Sequence, residues 1–471
     1  MRRLILLLTL ASTSLGAQQS PQIDWSKVDA ETLEHFQTLV RFDTTDPPTT
    51  PPGIEKPAVD YLKQVLDKEG IQTQVYALEP NRPNLIARLK GNGKRRPLLI
   101  MGHTDTVNID PKKWTFPPFS ATRDGGFIYG RGTIDDKDNV TGALMTLLLL
   151  KRNNVPLDRD VIVLFEAGEE GATRVGIQFI VDNHLADIQS EFCLAEGGNG
   201  TRERGQMRYV SIQTLEKIPR AISLTARGVA GHGSIPLQSN AIVHLSNAVG
   251  KVAEWQPPIR PNETTAAYFK RLASISSPEE AARYRDALSP DPKVSAPADA
   301  YFRANEPRHA SMLRTSISPN MFQGGYRLNV IPSEAVATLD VRMLPDDDPA
   351  AFLEQVKKIV NDPNIEVQYT ARDVRPNGIS RLDTEAFKVI EANVKKHYNT
   401  ITLPTMSTGA TDMAYLRAKG IQCYGIGPAL DAEDGPKGFG AHSDQERIVE
   451  SELYRFVRFN YDVVVDIARA R

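Results

Sequence analysis

The chain has 471 residues, enough for two domains with well-filled cores, and its 41% apolar and 24% charged residues are the proportions of a soluble globular protein. With a formal net charge of −2 and neither a basic stripe nor an acidic block, nothing marks a nucleic-acid binder or a solvating tail. The first residues, "MRRLILLLTLASTSLGAQQS", carry two arginines, a short apolar run at 4–10 and small residues at Ser14, Gly16 and Ala17. That is the three-part layout of a secretory signal peptide. The apolar run is too short to span a bilayer, and no cysteine follows it to take a lipid anchor. Residues 1–17 are therefore expected to be removed on export to the periplasm or medium, leaving no membrane contact. An uncleaved amphipathic anchor is the alternative.

Beyond that segment, "ETLEHFQTLVRF" and "EKPAVDYLKQVLDKEG" space apolar residues at helical intervals, with Gly70 as the expected C-cap of the second. Strand-like runs then alternate with helices. "PNLIARL", "RPLLIMGH", "DVIVLFEAGEE" and "SEFCLAEGG" read as strands, and "VTGALMTLLLLKRNN" and "VGIQFIVDNHL" read as helices. The strand runs are apolar without alternation, as in strands covered on both faces, so this half is expected to form a mostly parallel α/β sheet. Chemistry in such sheets gathers beyond the carboxyl ends of the strands, where His103, Glu169, Glu170 and Glu196 fall.

The pattern changes near residue 217. "IPRAISLTARGVAGHGS" alternates, "NAIVHLSNAVGKVAEW" is helical, and a polar, proline-rich stretch runs over 256–311. A strand group, "GGYRLNVIPSEAVATLDVRMLP", follows, then the helix "DPAAFLEQVKKIVND" and the strand "IEVQYTA". This β-α-β-β-α-β order suits an α+β, ferredoxin-like domain with helices on one face of an antiparallel sheet. The helix "RLDTEAFKVIEANVKKHYN" and the core strand "GIQCYGIGPAL" then resume the first domain. The expected organisation is a catalytic domain over 18–216 and 376–471, with a second domain inserted over 217–375. Cys193 and Cys423 both sit in apolar strand runs, which leaves a disulfide and two buried thiols equally open.

Five segments place acids and histidines at strand ends or adjoining loops: "GHTDTV", "YGRGTIDDKDN", "FEAGEEG", "CLAEGG" and "GFGAHSDQE". Histidine and carboxylate donors without cysteine suit a zinc or mixed divalent hydrolytic site and not a structural zinc. In the first segment His103 can ligate through one ring nitrogen while Asp105 takes the N–H of the other. The Glu169–Glu170 pair, flanked by Gly168 and Gly171 at the end of an apolar strand, is better placed for chemistry than an ordinary solvated strand end.

In this order the five segments resemble the dinuclear-zinc metallopeptidase family of aminoacylase, acetylornithine deacetylase, succinyl-diaminopimelate desuccinylase and bacterial glutamate carboxypeptidase. The resemblance spans nearly all of the mature chain. It implies two zinc ions per chain, replaceable by cobalt, one held by His103 and Glu196 and the other by Glu170 and His442, with Asp135 bridging. It implies Glu169 as the general base and a cis peptide between Asp135 and Asp136. From the inserted domain, acting as a lid, it implies His232 of "GVAGHGSIP" as the oxyanion partner, with Asn329 of "NVIP" and Arg342 of "LDVRMLP" as substrate holders. Homodimerisation through that domain is also implied, since in dimeric relatives the lid histidine serves the partner's site. The chain departs from the family at Asp138, where glycine is usual. The remaining histidines, His35, His184, His244, His309 and His397, are read as structural. The function implied is a carboxypeptidase- or dipeptidase-type hydrolase cutting an amide next to a free carboxylate, with an N-acyl amino acid deacylase as the alternative. Retention of Glu169 and all five ligands argues against an inactive binding module.

Overall fold

Three apolar runs, Val161–Glu166, Leu98–His103 and Phe192–Ala195, are buried at every position. They are adjacent parallel strands, and successive side chains point to opposite faces that are both covered. On one face Leu98, Ile100, Val161, Val163 and Phe165 pack with Leu144 and Leu148 of the helix Lys137–Arg152 and with Phe456 and Val463 of Glu450–Ala468. On the other, Leu99, Met101, Ile162 and Leu164 meet Ile177 and Ile180 of Ile177–Asn183 and Met413 and Leu416 of Met413–Ala418. The computed structural model describes residues 23–46, 54–370 and 374–470, so the expected signal segment lies outside the described residues. No helix among them is long and apolar enough to cross a membrane.

The whole sheet has ten strands, in the order Gln72–Tyr76, Asn84–Leu89, Val161–Glu166, Leu98–His103, Phe192–Ala195, Gln422–Gly425, Gln206–Glu216, Asn199–Glu203 and Ala429–Asp431, with Thr402–Ser407 branching parallel from Gln206–Glu216. Its centre is parallel, and antiparallel pairs lie on either side of it. His103 and Glu166 are register partners at the ends of neighbouring strands, and Glu196 follows the end of the next. The candidate residues therefore gather at one edge because three parallel strands stop there together. Cys193 and Cys423 are also register partners, and both are buried free thiols.

A second, four-stranded antiparallel sheet runs in the order Ser316–Gly324, Glu334–Met343, Ile218–Arg227, Ile365–Tyr369. The helices Ala241–Glu254 and Pro349–Val360 cover one face of it, meeting Ile222, Leu224, Leu339 and Val341. This is the expected β-α-β-β-α-β unit, with two differences. Its second strand lies upstream of the expected "GGYRLNV". Ser316–Gly324 is an edge strand, exposed from Ser318 onward, with a register shift between Pro319 and Met321. An exposed edge tolerates proline and needs no apolar alternation, which hid it in the sequence.

The second difference lies in the proline-rich stretch 256–311, within the bounds expected of the inserted domain. It contains four helices, Glu263–Ala273, Pro278–Asp286, Pro292–Asn305 and Pro307–Met312. Three of its prolines, Pro278, Pro292 and Pro307, stand in first helical turns, where the missing N–H is harmless, and capping boxes at Asn262 and Ser277 start the first two helices. Their aromatic core, Tyr268, Phe269, Tyr284 and Phe302, includes Leu403 of the strand Thr402–Ser407. The helices thus dock on the main sheet.

Candidate metal centre

The centre is assembled around a cis peptide, Asp135–Asp136, in the turn before the helix Lys137–Arg152. The two carboxylates have different surroundings. Asp136 Oδ2 accepts from the backbone N–H of His103 (3.1 Å), and its Oδ1 accepts from Asn139 Nδ2 (2.6 Å). Asp135 instead spans two imidazoles, with Oδ1 3.1 Å from His103 Nε2 and Oδ2 3.0 Å from His442 Nε2. The His442 ring also reaches Glu170, 3.1 Å from Oε1 and 3.0 Å from Oε2. The resulting chain is His103, Asp135, His442, Glu170. Glu196 completes a second group, its ligand atom lying within 4.8 Å of those of His103 and Asp136.

Asp105 fixes the geometry beneath this chain. Its carboxylate accepts from the backbone N–H groups of Glu169 (3.2 Å) and Glu170 (3.0 Å), so the HxD segment locks the turn that carries both glutamates. His103 Nδ1 lies 3.2 Å from the Asp105 carbonyl and 3.4 Å from its Oδ1, so the main chain shares the orienting role expected of the carboxylate. Gly168 makes the turn possible. Its φ is +73°, and a Cβ there would lie 2.6 Å from the Ala172 carbonyl oxygen.

The charges fit a cation. Burial, reinforced by the Asp135 charge, pushes Glu170 up to about 8. Burial also drives Glu196 well above the carboxylate range, with Glu169 adding to the effect, and raises Asp136 to about 7. Hydrogen bonds to Asp135 and Glu170 raise His442 to about 10. Burial opposes the charge on His103, but hydrogen bonds to Asp105 and Asp135 hold its pKa well above normal. Burial opposes the charge on Asp135 too, but hydrogen bonds to His103 and His442 hold its carboxyl well below the usual range, so the cluster mixes acids and imidazoles whose charges a divalent cation would balance. His103, Asp135, Glu170, Glu196 and His442 therefore suit divalent metal, whereas Asp136 already uses both oxygens to build the scaffold.

Glu169 stands beside this set without joining it. Only 8% exposed, it accepts from Arg375 Nη1 at Oε1 (2.8 Å) and from Arg375 Nη2 at its carbonyl oxygen (3.1 Å). The same Nη1 lies 3.1 Å from Asp412 Oδ1. Arg375 and Asp412 were missed in the sequence. "RDVRPNGIS" has no periodicity, and only the polar run before "DMAYL" hinted at Asp412.

The residues expected to act from a lid, His232, Asn329 and Arg342, lie in or beside the second sheet. His232, exposed on Gly231–His232, pairs in register with Val330, and Gly233 donates its N–H to the Asn329 carbonyl (2.9 Å). This pairing holds His232 and Asn329 on one small ribbon. His232 Nδ1 lies 2.7 Å from Ser234 Oγ. Arg342 forks onto Asp340, two residues back on the same strand face, through Nε–Oδ1 (3.0 Å) and Nη2–Oδ2 (3.1 Å). Among the described residues, no hydrogen bond or ion pair joins His232, Asn329 or Arg342 to the candidate ligand set. Asp138 is buried in the first turn of its helix with Oδ1 hydrogen-bonded to no described residue, and burial pushes its carboxyl well up.

The remaining histidines, read as structural, include several with an acid beside them. His244 meets Asp362 (2.6 Å), His397 meets Asp462 (2.8 Å), and His309 meets Glu306. His35 bonds to the Tyr61 hydroxyl (2.7 Å), and His184 stacks on Tyr76. None of them belongs to a group of three ligand atoms among the described residues.

Residues 99–466 match the profile of Peptidase family M20/M25/M40. The chain is 27% identical over 328 residues to a Dictyostelium discoideum protein named "Probable carboxypeptidase S-like 2", covering 67% of this chain and 62% of that one. It is 27% identical over 381 residues to the human N-fatty-acyl-amino acid synthase/hydrolase PM20D1, covering 78% of this chain and 74% of the relative. In fold it resembles the M20 family metallo-carboxypeptidase Sso-CP2 from Sulfolobus solfataricus, with a TM-score of 0.69 at 20% identity over 92% of this chain and 98% of that one. With a profile match that runs from the strand carrying His103 into the last helix, the chain belongs to Peptidase family M20/M25/M40.

Proposed function

We propose that this protein is a zinc-dependent hydrolase that cleaves an amide bond next to a free carboxylate, in the manner of a carboxypeptidase or dipeptidase. The observation that carries the reading is the contact chain His103–Asp135–His442–Glu170, with Glu196 adjoining and Glu169 beside the set but outside it. His103 and Glu196 would hold one ion, Glu170 and His442 the other, and Asp135 both. Ions bound there supply Lewis-acid activation of water and of the scissile carbonyl.

The chain's own groups handle the proton and the substrate. Glu169 takes the proton of the attacking water on Oε2 and returns it to the leaving nitrogen. His232 donates to the oxyanion, Asn329 holds the substrate amide, and Arg342 grips the carboxylate. The human relative's name, N-fatty-acyl-amino acid synthase/hydrolase, favours a second reading as an N-acyl amino acid hydrolase. That substrate has the same amide beside the same carboxylate. The test is a panel of dipeptides and N-acyl amino acids offered to zinc-loaded, cobalt-loaded and chelated protein. Hydrolysis should follow about two bound ions per chain and vanish on chelation. Turnover that survives complete metal removal would end the proposal.

Homodimerisation through the lid is part of the same reading. The edge strand Ser316–Gly324 carries exposed Met321 and Phe322, and Tyr326 and Leu328 are exposed just beyond it. An unpaired edge with apolar side chains is suited to pairing with a second copy of itself. If His232 serves the partner's site, mixing inactive Glu169→Ala with inactive His232→Ala under subunit exchange restores activity to about a quarter of wild type, the statistical share of competent sites. A fully active monomer by light scattering excludes this arrangement.

A further inference from the structure

We propose that Arg375 is a positioning residue for Glu169, holding its carboxylate for proton transfer from the crossing by which the chain returns from the lid sheet to the main domain. The inference rests on the reading of Glu169 as the base. Glu169 is fastened at three points. Its backbone N–H donates to Asp105 Oδ1 (3.2 Å), its carbonyl accepts from Arg375 Nη2 (3.1 Å), and its Oε1 accepts from Arg375 Nη1 (2.8 Å). Among the described residues no hydrogen bond reaches Oε2, the oxygen this reading gives to the attacking water.

The guanidinium is itself anchored. Its Nη1 lies 3.1 Å from Asp412 Oδ1, and Asp412 is 1% exposed with neither oxygen hydrogen-bonded to another described residue. Asp412 is set by the main chain as the N-cap of Met413–Ala418. A buried carboxylate of this kind needs a counter-charge, and the arginine is placed to supply it. Glu169 neighbours the acids that would ligate metal, so an unrestrained carboxylate here could swing toward a cation as an extra ligand. Arg375 gives it a competing partner in a fixed direction. A planar guanidinium can reach a carboxylate, a carbonyl and a second carboxylate together, which a lysine ammonium on a flexible stem cannot reproduce.

The backbone around Arg375 links both parts of the molecule. Asn377 Nδ2 donates to the carbonyl of Pro345, just past the lid strand Glu334–Met343. The N–H of Ser380 donates to Thr214 of the main-sheet strand Gln206–Glu216 (2.9 Å). Between them, Gly378 passes so close to Arg417 that a Cβ would lie 2.3 Å from the Arg417 Cβ. Arg375 thus stands two residues before a contact with the lid sheet and five before one with the main sheet, on the segment that joins the two.

The test uses full-length, zinc-loaded Arg375→Ala and Arg375→Lys, with wild type, Glu169→Ala and Glu169→Ala/Arg375→Ala beside them. Both arginine variants should keep wild-type metal content and KM for a free-acid substrate while kcat falls roughly ten- to a hundredfold, the usual effect of removing a residue that orients a functional group. Arg375→Lys keeps a charge and most of the volume, so it reads out the loss of the fork even if Arg375→Ala folds poorly. In the Glu169→Ala background, removing Arg375 should cause no further fall, because its effect passes through that carboxylate. Three results overturn the proposal: wild-type kcat in both variants, a raised KM with unchanged kcat (an arginine that binds substrate), or a further loss in the double variant. Failure of the base assignment shows separately, as turnover retained by Glu169→Ala alone.

Discussion

Glu169→Ala should retain bound metal and lose nearly all turnover, with kcat falling roughly 10²–10⁴-fold, the span that a positioned general base contributes. The structure separates this residue from its neighbour. Glu170 contacts His442 at 3.0 Å, whereas the Glu169 side chain is engaged by Arg375 and, among the described residues, not by His103 or His442. Glu170→Ala should accordingly lose metal first and activity as a consequence. Metal content and kcat measured on the two variants distinguish the roles, and wild-type turnover in Glu169→Ala would sink the mechanism. Glu169→Gln is the sharper form of the test. It preserves the volume and the oxygen that accepts from Arg375, and removes only the ability to take a proton.

The second large effect concerns Arg342. If its fork grips the substrate carboxylate, amidating that carboxylate should lower kcat/KM although the scissile bond is unchanged. The fork already rests on Asp340, and the Arg342 side chain is 28% exposed, so water screens part of the contact. Loss of one charge-assisted contact of about 1.5–3 kcal/mol corresponds to roughly a ten- to hundredfold fall in kcat/KM. Arg342→Ala should narrow the gap between acid and amide, since neither then has the anchor. Arg342→Lys should restore little of it, because a point charge lacks the planar fork. If the unaltered enzyme cleaves C-terminally amidated peptides as fast as free acids, the site does not read a carboxylate, and recognition of a free amine becomes the better account.

Much of the centre was legible because its parts are local. The unalternating runs that became Leu98–His103, Val161–Glu166 and Phe192–Ala195 announce strands buried on both faces, and polar residues at their ends stand out against them. Gly168 and Gly171 around Glu169–Glu170 mark a tight turn, and the turn is there. The helices of 256–311 were hidden by a local signal read the wrong way, since proline in a first turn marks a beginning as readily as a break. The strand Ser316–Gly324 was hidden because half of the usual strand signal comes from burial, and an exposed edge has little.

What the sequence determined by itself is the local chemistry: which residues can ligate, which strands are buried, and which segments outside 256–311 are helical, since periodicity and residue type act over a few neighbours. What only the tertiary structure decided is which of those groups meet. His442 reaches Glu170 across 272 residues, and Arg375 reaches Glu169 across 206. Neither pairing leaves a periodic trace, because a contact between two loops is set by where the sheet carries their ends. The division of labour between Asp135 and Asp136 is of the same kind. Two identical side chains in adjacent positions differ only in that one faces two imidazoles and the other a backbone N–H and an amide.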